Sequence, residues 1–183
     1  PLYSSAASDV YKRQYIDLPK SPSVSLPLAH RPLLVCGSAY AHTQAQLQLL
    51  MQSRNIHLIQ WEPGINYESQ WQTETLIDTP FLCIKPGQST SNTDISCNLL
   101  ADFTKIVIKF INYYNPDGIG IIGGDTAYLL LHTLATHRLE MIGRCADVVA
   151  CGIIYDGILA GCPIATKGGS VGPIDALLHM MDY

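Results

Sequence analysis

A chain of 183 residues with 11 Lys and Arg against 15 Asp and Glu carries a formal net charge of -4, and 48% of its residues are hydrophobic. It has material for a packed core but no basic surplus, which argues against nucleic acid or an anionic membrane as the main partner. The longest apolar stretches, Gly118 to Ile122 and Ala127 to Leu131, are far too short to cross a bilayer, so a cytoplasmic location is expected.

In chain order, Ser4 to Gln14 (SSAASDVYKRQ) reads codon for codon as a translated transposase adapter, so residues 1–14 are set aside as an artefact. About 170 residues remain, enough for one domain with a sizeable core. Residues 15–30 are rich in Ser and Pro, with Pro19, Pro22 and Pro27 restricting the backbone, and read as a linker. The domain is expected to span 31–183. Leu33 to Cys36 is a short apolar run closed by Gly37 and Ser38, and from Thr43 to Arg54 the residues Leu47, Leu50 and Met51 recur at helical spacing.

A second strand is expected at Ile56 to Trp61 and a third at Phe81 to Lys85, with a polar loop at Gln88 to Thr93. From Asp94, the series Ile95, Leu99, Phe103, Ile106 and Phe110 fits a long amphipathic helix ending at Asn115 and Pro116. Gly118 to Ile122 reads as a compact strand, and Asp125 is placed to cap a helix through Ala127 to Thr136. Beyond Leu139 come β-like runs at Val148 to Tyr155 and Pro163 to Thr166, a glycine loop, and a helix opened by Pro173. Alternating strands and helices predict a single Rossmann-like α/β domain, a mostly parallel sheet with helices on both faces.

The cysteines Cys36, Cys83, Cys97, Cys145, Cys151 and Cys162 form no CxxC pair and have no His at zinc spacing. They are expected to be reduced and buried, and no metal-ligating residues are nominated. His30, His42, His57, His132, His137 and His179 are scattered. No nucleophile elbow, Walker A motif or dinucleotide fingerprint is present.

Three turns stand out, each following a strand and each built from small residues with free amides: Gly37-Ser38, Gly123-Gly124-Asp125-Thr126, and Lys167-Gly168-Gly169-Ser170-Val171-Gly172. Such turns lie at the carboxyl edge of a parallel sheet, where glycine admits the backbone to an anion and a helix start supplies unpaired N–H groups. Lys167 would add a point charge, whereas the Asp125 carboxylate repels phosphate and fits better as a cap or as a water-mediated magnesium ligand. Singly, each turn is common in α/β proteins.

Together and in order, Pro32 to Ser38 (PLLVCGS) with Thr43 and Gln46, Gly123 to Ala127 (GGDTA), and Pro163 to Gly172 (PIATKGGSVG) resemble the nucleotide-binding domain of the four-carbon acid sugar kinases. The resemblance covers Arg31 to Met181. It implies that this domain carries ATP with Mg2+, that an N-terminal domain binds a threonate, erythronate or oxo-tetronate type acid, and that phosphate passes to the terminal hydroxyl. It implies nucleotide contacts at Ser38, Gly123, Gly124, Asp125 and Thr126, and at Lys167, Gly168, Gly169 and Gly172. Two positions depart from the family pattern: Val171 stands where Phe is usual, and Asp125 where many members have Glu. The catalytic base and the acid clamp are expected in an N-terminal domain not contained in this chain, which alone should bind nucleotide weakly and transfer no phosphate. The alternative is a non-catalytic nucleotide-binding or oligomerisation module of the same fold, and association into a homo-oligomer stays open. A hydrolase or nicotinamide enzyme ranks behind both.

Overall fold

The computed structural model describes residues 29–67, 71, 81–87 and 97–180. The adapter reading, nearly all of the linker, the Gln88 to Thr93 loop and the helix start at Asp94 fall outside them. Among the described residues are seven strands and four helices: β1 (Pro32–Cys36), α1 (Ala41–Ser53), β2 (His57–Trp61), β3 (Leu82–Pro86), α2 (Cys97–Tyr114), β4 (Gly118–Ile122), α3 (Gly124–Thr133), β5 (Leu139–Ala146), β6 (Val149–Ile154), β7 (Pro163–Lys167) and α4 (Ala176–Met180). The strands form one sheet in the order β2-β3-β1-β4-β7-β6-β5. The first five are mutually parallel, and β6 runs antiparallel to both β7 and β5. The expected mostly parallel α/β sheet is therefore present. β3 rather than β2 lies beside β1, whereas in the dinucleotide-binding sheet successive strands step outward from the first.

Side-chain alternation divides the core in two, as period-two strands buried on both faces require. Leu33, Val35, Leu82, Ile84, Ile119 and Ile121 pack with Phe103 and Phe110 of α2 and Leu130 of α3. Leu34, Cys36, Cys83 and Ile122 pack on the other face with Leu47 and Leu50 of α1 and Leu177 and Met180 of α4. Helices thus cover both faces. The long helix stops where foreseen: Asn115 takes a left-handed φ of 51° and Pro116 follows, a combination that cannot continue a helix.

Three expectations need correcting. Met51, read as part of the apolar face of α1, is 40% exposed, and the buried stripe is Thr43, Gln46, Leu47 and Leu50. Asp125 does not cap α3: the helix already starts at Gly124, Gly123 is its N-cap, and no side chain makes the cap hydrogen bond. Cys145 and Cys151, with Cα atoms 5.9 Å apart, form a disulfide between β5 and β6, where a register shift between Arg144 and Ala146 takes Cys145 out of regular pairing. Cys36, Cys83 and Cys162 are free and buried as expected, and burial pushes the Cys162 thiol up to about 12. No helix among the described residues is long and apolar enough to cross a membrane.

Candidate functional site

The strand order places the three glycine turns side by side. β1, β4 and β7 are adjacent and parallel, so their carboxyl ends, and the turns that follow, share one edge of the sheet. From β1 the chain moves to β2 and β3 on one side, and then crosses to β4 on the other. The crevice between β1 and β4 is a point where strand order reverses, the place where α/β sheets bind ligands. Gly37 N donates to Ile122 O at 2.9 Å and Gly123 N to Lys167 O at 2.9 Å, which extends the ladder one residue past the strands and locks the turns to one another.

Small residues are required where the turns touch. A Cβ on Gly37 would lie 1.8 Å from Thr126 Oγ1, and one on Gly169 would lie 2.4 Å from Ser38 Oγ. Gly123 adopts φ 110°, a conformation open to glycine alone at low cost. Ser38 Oγ and Thr43 Oγ1 are 2.9 Å apart, and Thr43 Oγ1 donates to Gly169 O. The β1 turn and the glycine loop are thereby joined through two buried hydroxyls, with Thr43 0% and Ser38 7% exposed.

Gly124 differs from its neighbours. It is exposed, and a Cβ there would meet nothing within 4 Å, so the fold itself does not demand glycine. Gly124→Ala is expected to leave stability unchanged or raise it by up to about 1 kcal/mol, since Ala is the better helix former. If the open space belongs to a ligand, the same change weakens binding. Thermal unfolding and ligand titration of the one variant measure both effects.

Lys167 ends β7 and is 3% exposed. Its Nζ donates to Gly168 O at 2.7 Å, and no carboxylate pairs with it among the described residues. Burial lowers its pKa from the ordinary lysine value of 10.5, with the Cys36 thiol pulling the other way. The unfolded chain then binds more protons than the folded one just below pH 10.5. Stability rises with pH through that window, and at neutral pH the buried charge works against the fold. An anion beside Lys167 would remove that cost.

Of the residues nominated from sequence, Ser38, Gly123, Thr126, Lys167, Gly168 and Gly169 come together at the joined turns. Gly124 and Asp125 lie beside them in the exposed first turn of α3. Gly172 belongs instead to the base of the loop: its φ is 92°, and a Cβ there would lie 2.3 Å from Val148 Cγ2. That base is gripped by α1. Gln46 Nε2 donates to Pro173 O at 2.6 Å, and His42 Nε2 lies 2.7 Å from Gly172 O, so that nitrogen carries the ring proton. Gln46 is fully buried and its Oε1 has no hydrogen-bond partner among the described residues. An unpaired buried oxygen costs about what the amide's hydrogen bonds return, so Gln46 positions the loop more than it stabilises the chain. Sequence reading quoted Thr43 and Gln46 within the family resemblance but gave neither a role in the site. The available signal was two polar residues on the same helical stripe as Leu47 and Leu50.

A family model for a nucleotide-binding C-terminal domain matches residues 84–177, just over half of the chain. The chain belongs to that family. The match takes in β4, α3, β7 and the glycine loop, the parts that build most of the site. Among solved structures, a Bordetella bronchiseptica protein with a domain of unknown function called DUF1537, crystallised with bound citrate as a domain-swapped dimer, is similar at 20% identity and TM-score 0.66 over 82% of this chain and 38% of that one. A second crystal form of the same protein gives 19% identity and TM-score 0.64 over 85% and 41%. A Haemophilus influenzae protein of the DUF1537 family is similar at 16% identity and TM-score 0.65 over 88% of this chain and 42% of that one. The nucleotide-binding domain described here thus spans about two fifths of the length of these structures, and at such identities the likeness is one of fold. No curated protein matches the chain.

Proposed function

We propose that the joined turns hold ATP with Mg2+, and that the chain is the nucleotide half of a kinase that phosphorylates four-carbon sugar acids at the terminal hydroxyl. The observation that carries this reading is a buried Lys167, with no carboxylate partner among the described residues, beside glycine turns that converge where the strand order reverses. Phosphoryl transfer asks a protein mainly for positioning and charge neutralisation, and the unpaired first-turn amides of α1 and α3 supply donors without a side chain. Gly124 leaves room for phosphate oxygens to reach the α3 amides.

Asp125 is exposed in the first turn of α3, so a Mg2+ on the phosphates can be held by its carboxylate through water. When bound, the ion neutralises polyphosphate charge. The acid substrate and its base are assigned to a region outside this chain, since the structures of similar fold extend well beyond the part it matches. Association into a homo-oligomer is part of the proposal, as the swapped dimers of the Bordetella protein have this fold.

Titration calorimetry of the folded chain with ATP and Mg2+ is expected to give saturable binding. Lys167→Met is expected to weaken it about 10- to 100-fold, the worth of one charge-assisted hydrogen bond, without loss of thermal stability. A folded wild-type chain that gives no binding heat with ATP would end this reading.

A further inference from the structure

We infer that Lys85, held in place by Gln44, is a second cationic contact for the ligand's phosphate chain, set on the other flank of β1 from Lys167. This rests on the nucleotide reading above and adds a residue that neither the family match nor the sequence motifs assign. Lys85 Nζ donates to Gln44 Oε1 at 2.6 Å, and Gln44 Nε2 donates to Ser38 O at 2.8 Å. A single amide group therefore ties the ammonium to the β1 turn. Val35 pairs with Ile84, so Lys85 stands level with the end of β1. Strand alternation puts it on the face of Cys83, the face that α1 covers. Lys167 stands on that face too, two residues beyond Ala165. Both charges are felt at the Cys36 thiol between them.

Both flanks of the crevice are cationic. Lys85 is half-buried, it donates to the neutral Gln44 amide, and no carboxylate lies within salt-bridge distance among the described residues. Lys167 on the other flank is buried almost completely, and a buried cation disfavours the fold unless an anion meets it. A polyanion between them is attracted by both. With β3 and β7 three strand spacings apart, about 14 Å, a triphosphate with a lysine leaning in from each side can engage both ammoniums, whereas a single phosphate can engage only one. The site is thereby tuned to the length of the phosphate chain.

The test compares ATP with AMP, each with Mg2+, by titration calorimetry on the full chain and on Lys85→Met, Lys85→Gln and Lys85→Arg, with thermal unfolding of each. The neutral variants are expected to lose about tenfold in ATP affinity while AMP binding changes less than about twofold, and Lys85→Arg to keep most of the ATP affinity. Should Lys85→Met fail to fold, Lys85→Gln retains a donor for Gln44 and carries the same comparison. Neutral variants that bind ATP as the wild type does, or that lose ATP and AMP equally, would show that Lys85 only braces the turn. A folded wild-type chain that binds neither nucleotide would remove the underlying reading before any Lys85 variant is measured.

Discussion

Gly37→Val is expected to destabilise the chain by about 3 kcal/mol or more, the upper end of what overpacking costs. The smallest addition, a Cβ, already lies 1.8 Å from Thr126 Oγ1, 2.7 Å from its Cβ and 2.8 Å from its Cγ2. Thr126 cannot swing away cheaply, because it is 3% exposed and sits in the first turn of α3, beside Gly123. Relief requires separating the β1 turn from α3, and that breaks the bond from Gly37 N to Ile122 O at the centre of the sheet. For a chain of this size the cost corresponds to a fall of about 6–12 °C in melting temperature. Thermal or urea unfolding decides it, and a shift of only a degree or two would mean that the two turns are not packed as described.

Gly169→Val is expected to reduce ATP affinity about 100-fold while costing far less stability than the first substitution. Its Cβ would lie 2.4 Å from Ser38 Oγ and 2.9 Å from Ser38 Cβ, and Ser38 is fixed by its contact with Thr43. Here the flexible partner is the glycine loop, which is partly exposed and can lift away from the β1 turn. That movement gives up the hydrogen bond from Thr43 to Gly169 O and carries the loop amides out of register with those of α3. Positioning is most of what such a site contributes, so a displacement of an ångström is costly for binding. Calorimetric titration alongside a melting curve separates the two effects. Near wild-type ATP binding by this variant would argue that the loop does not touch the ligand.

The parts of the fold that local pattern encodes were legible. Gly118 to Ile122 is a strand with the bounds its apolar run suggested, and the other predicted strands lie within a residue or two of theirs. The end of the long helix was set by Asn115 and Pro116. The edge strand β5 was not delimited, because its residues are half-buried to exposed and show no clean alternation. Met51 was grouped with Leu47 and Leu50 in one helical series because Leu, Leu and Met at helical spacing look alike in sequence. Only the partner surface shows that the stripe runs instead through Thr43 and Gln46, which face a polar loop rather than aliphatic side chains. The Asp125 cap failed by two residues, since Gly123 supplies the turn conformation that starts the helix earlier.

Lys85 and Gln44 went unnoticed for a related reason: each is unremarkable in its own segment, and their meeting depends on β3 lying beside β1.

What the residues determined by themselves was the set of parts: strands, helices, and three small-residue turns with a lysine in the last. Each follows from neighbours within a few positions, through side-chain period, glycine and proline geometry, and unpaired amides at helix starts. Only the tertiary structure decided that those turns are adjacent, and which side chains lock or flank them. Strand order is fixed by contacts between segments scores of residues apart, and no local pattern carries that information.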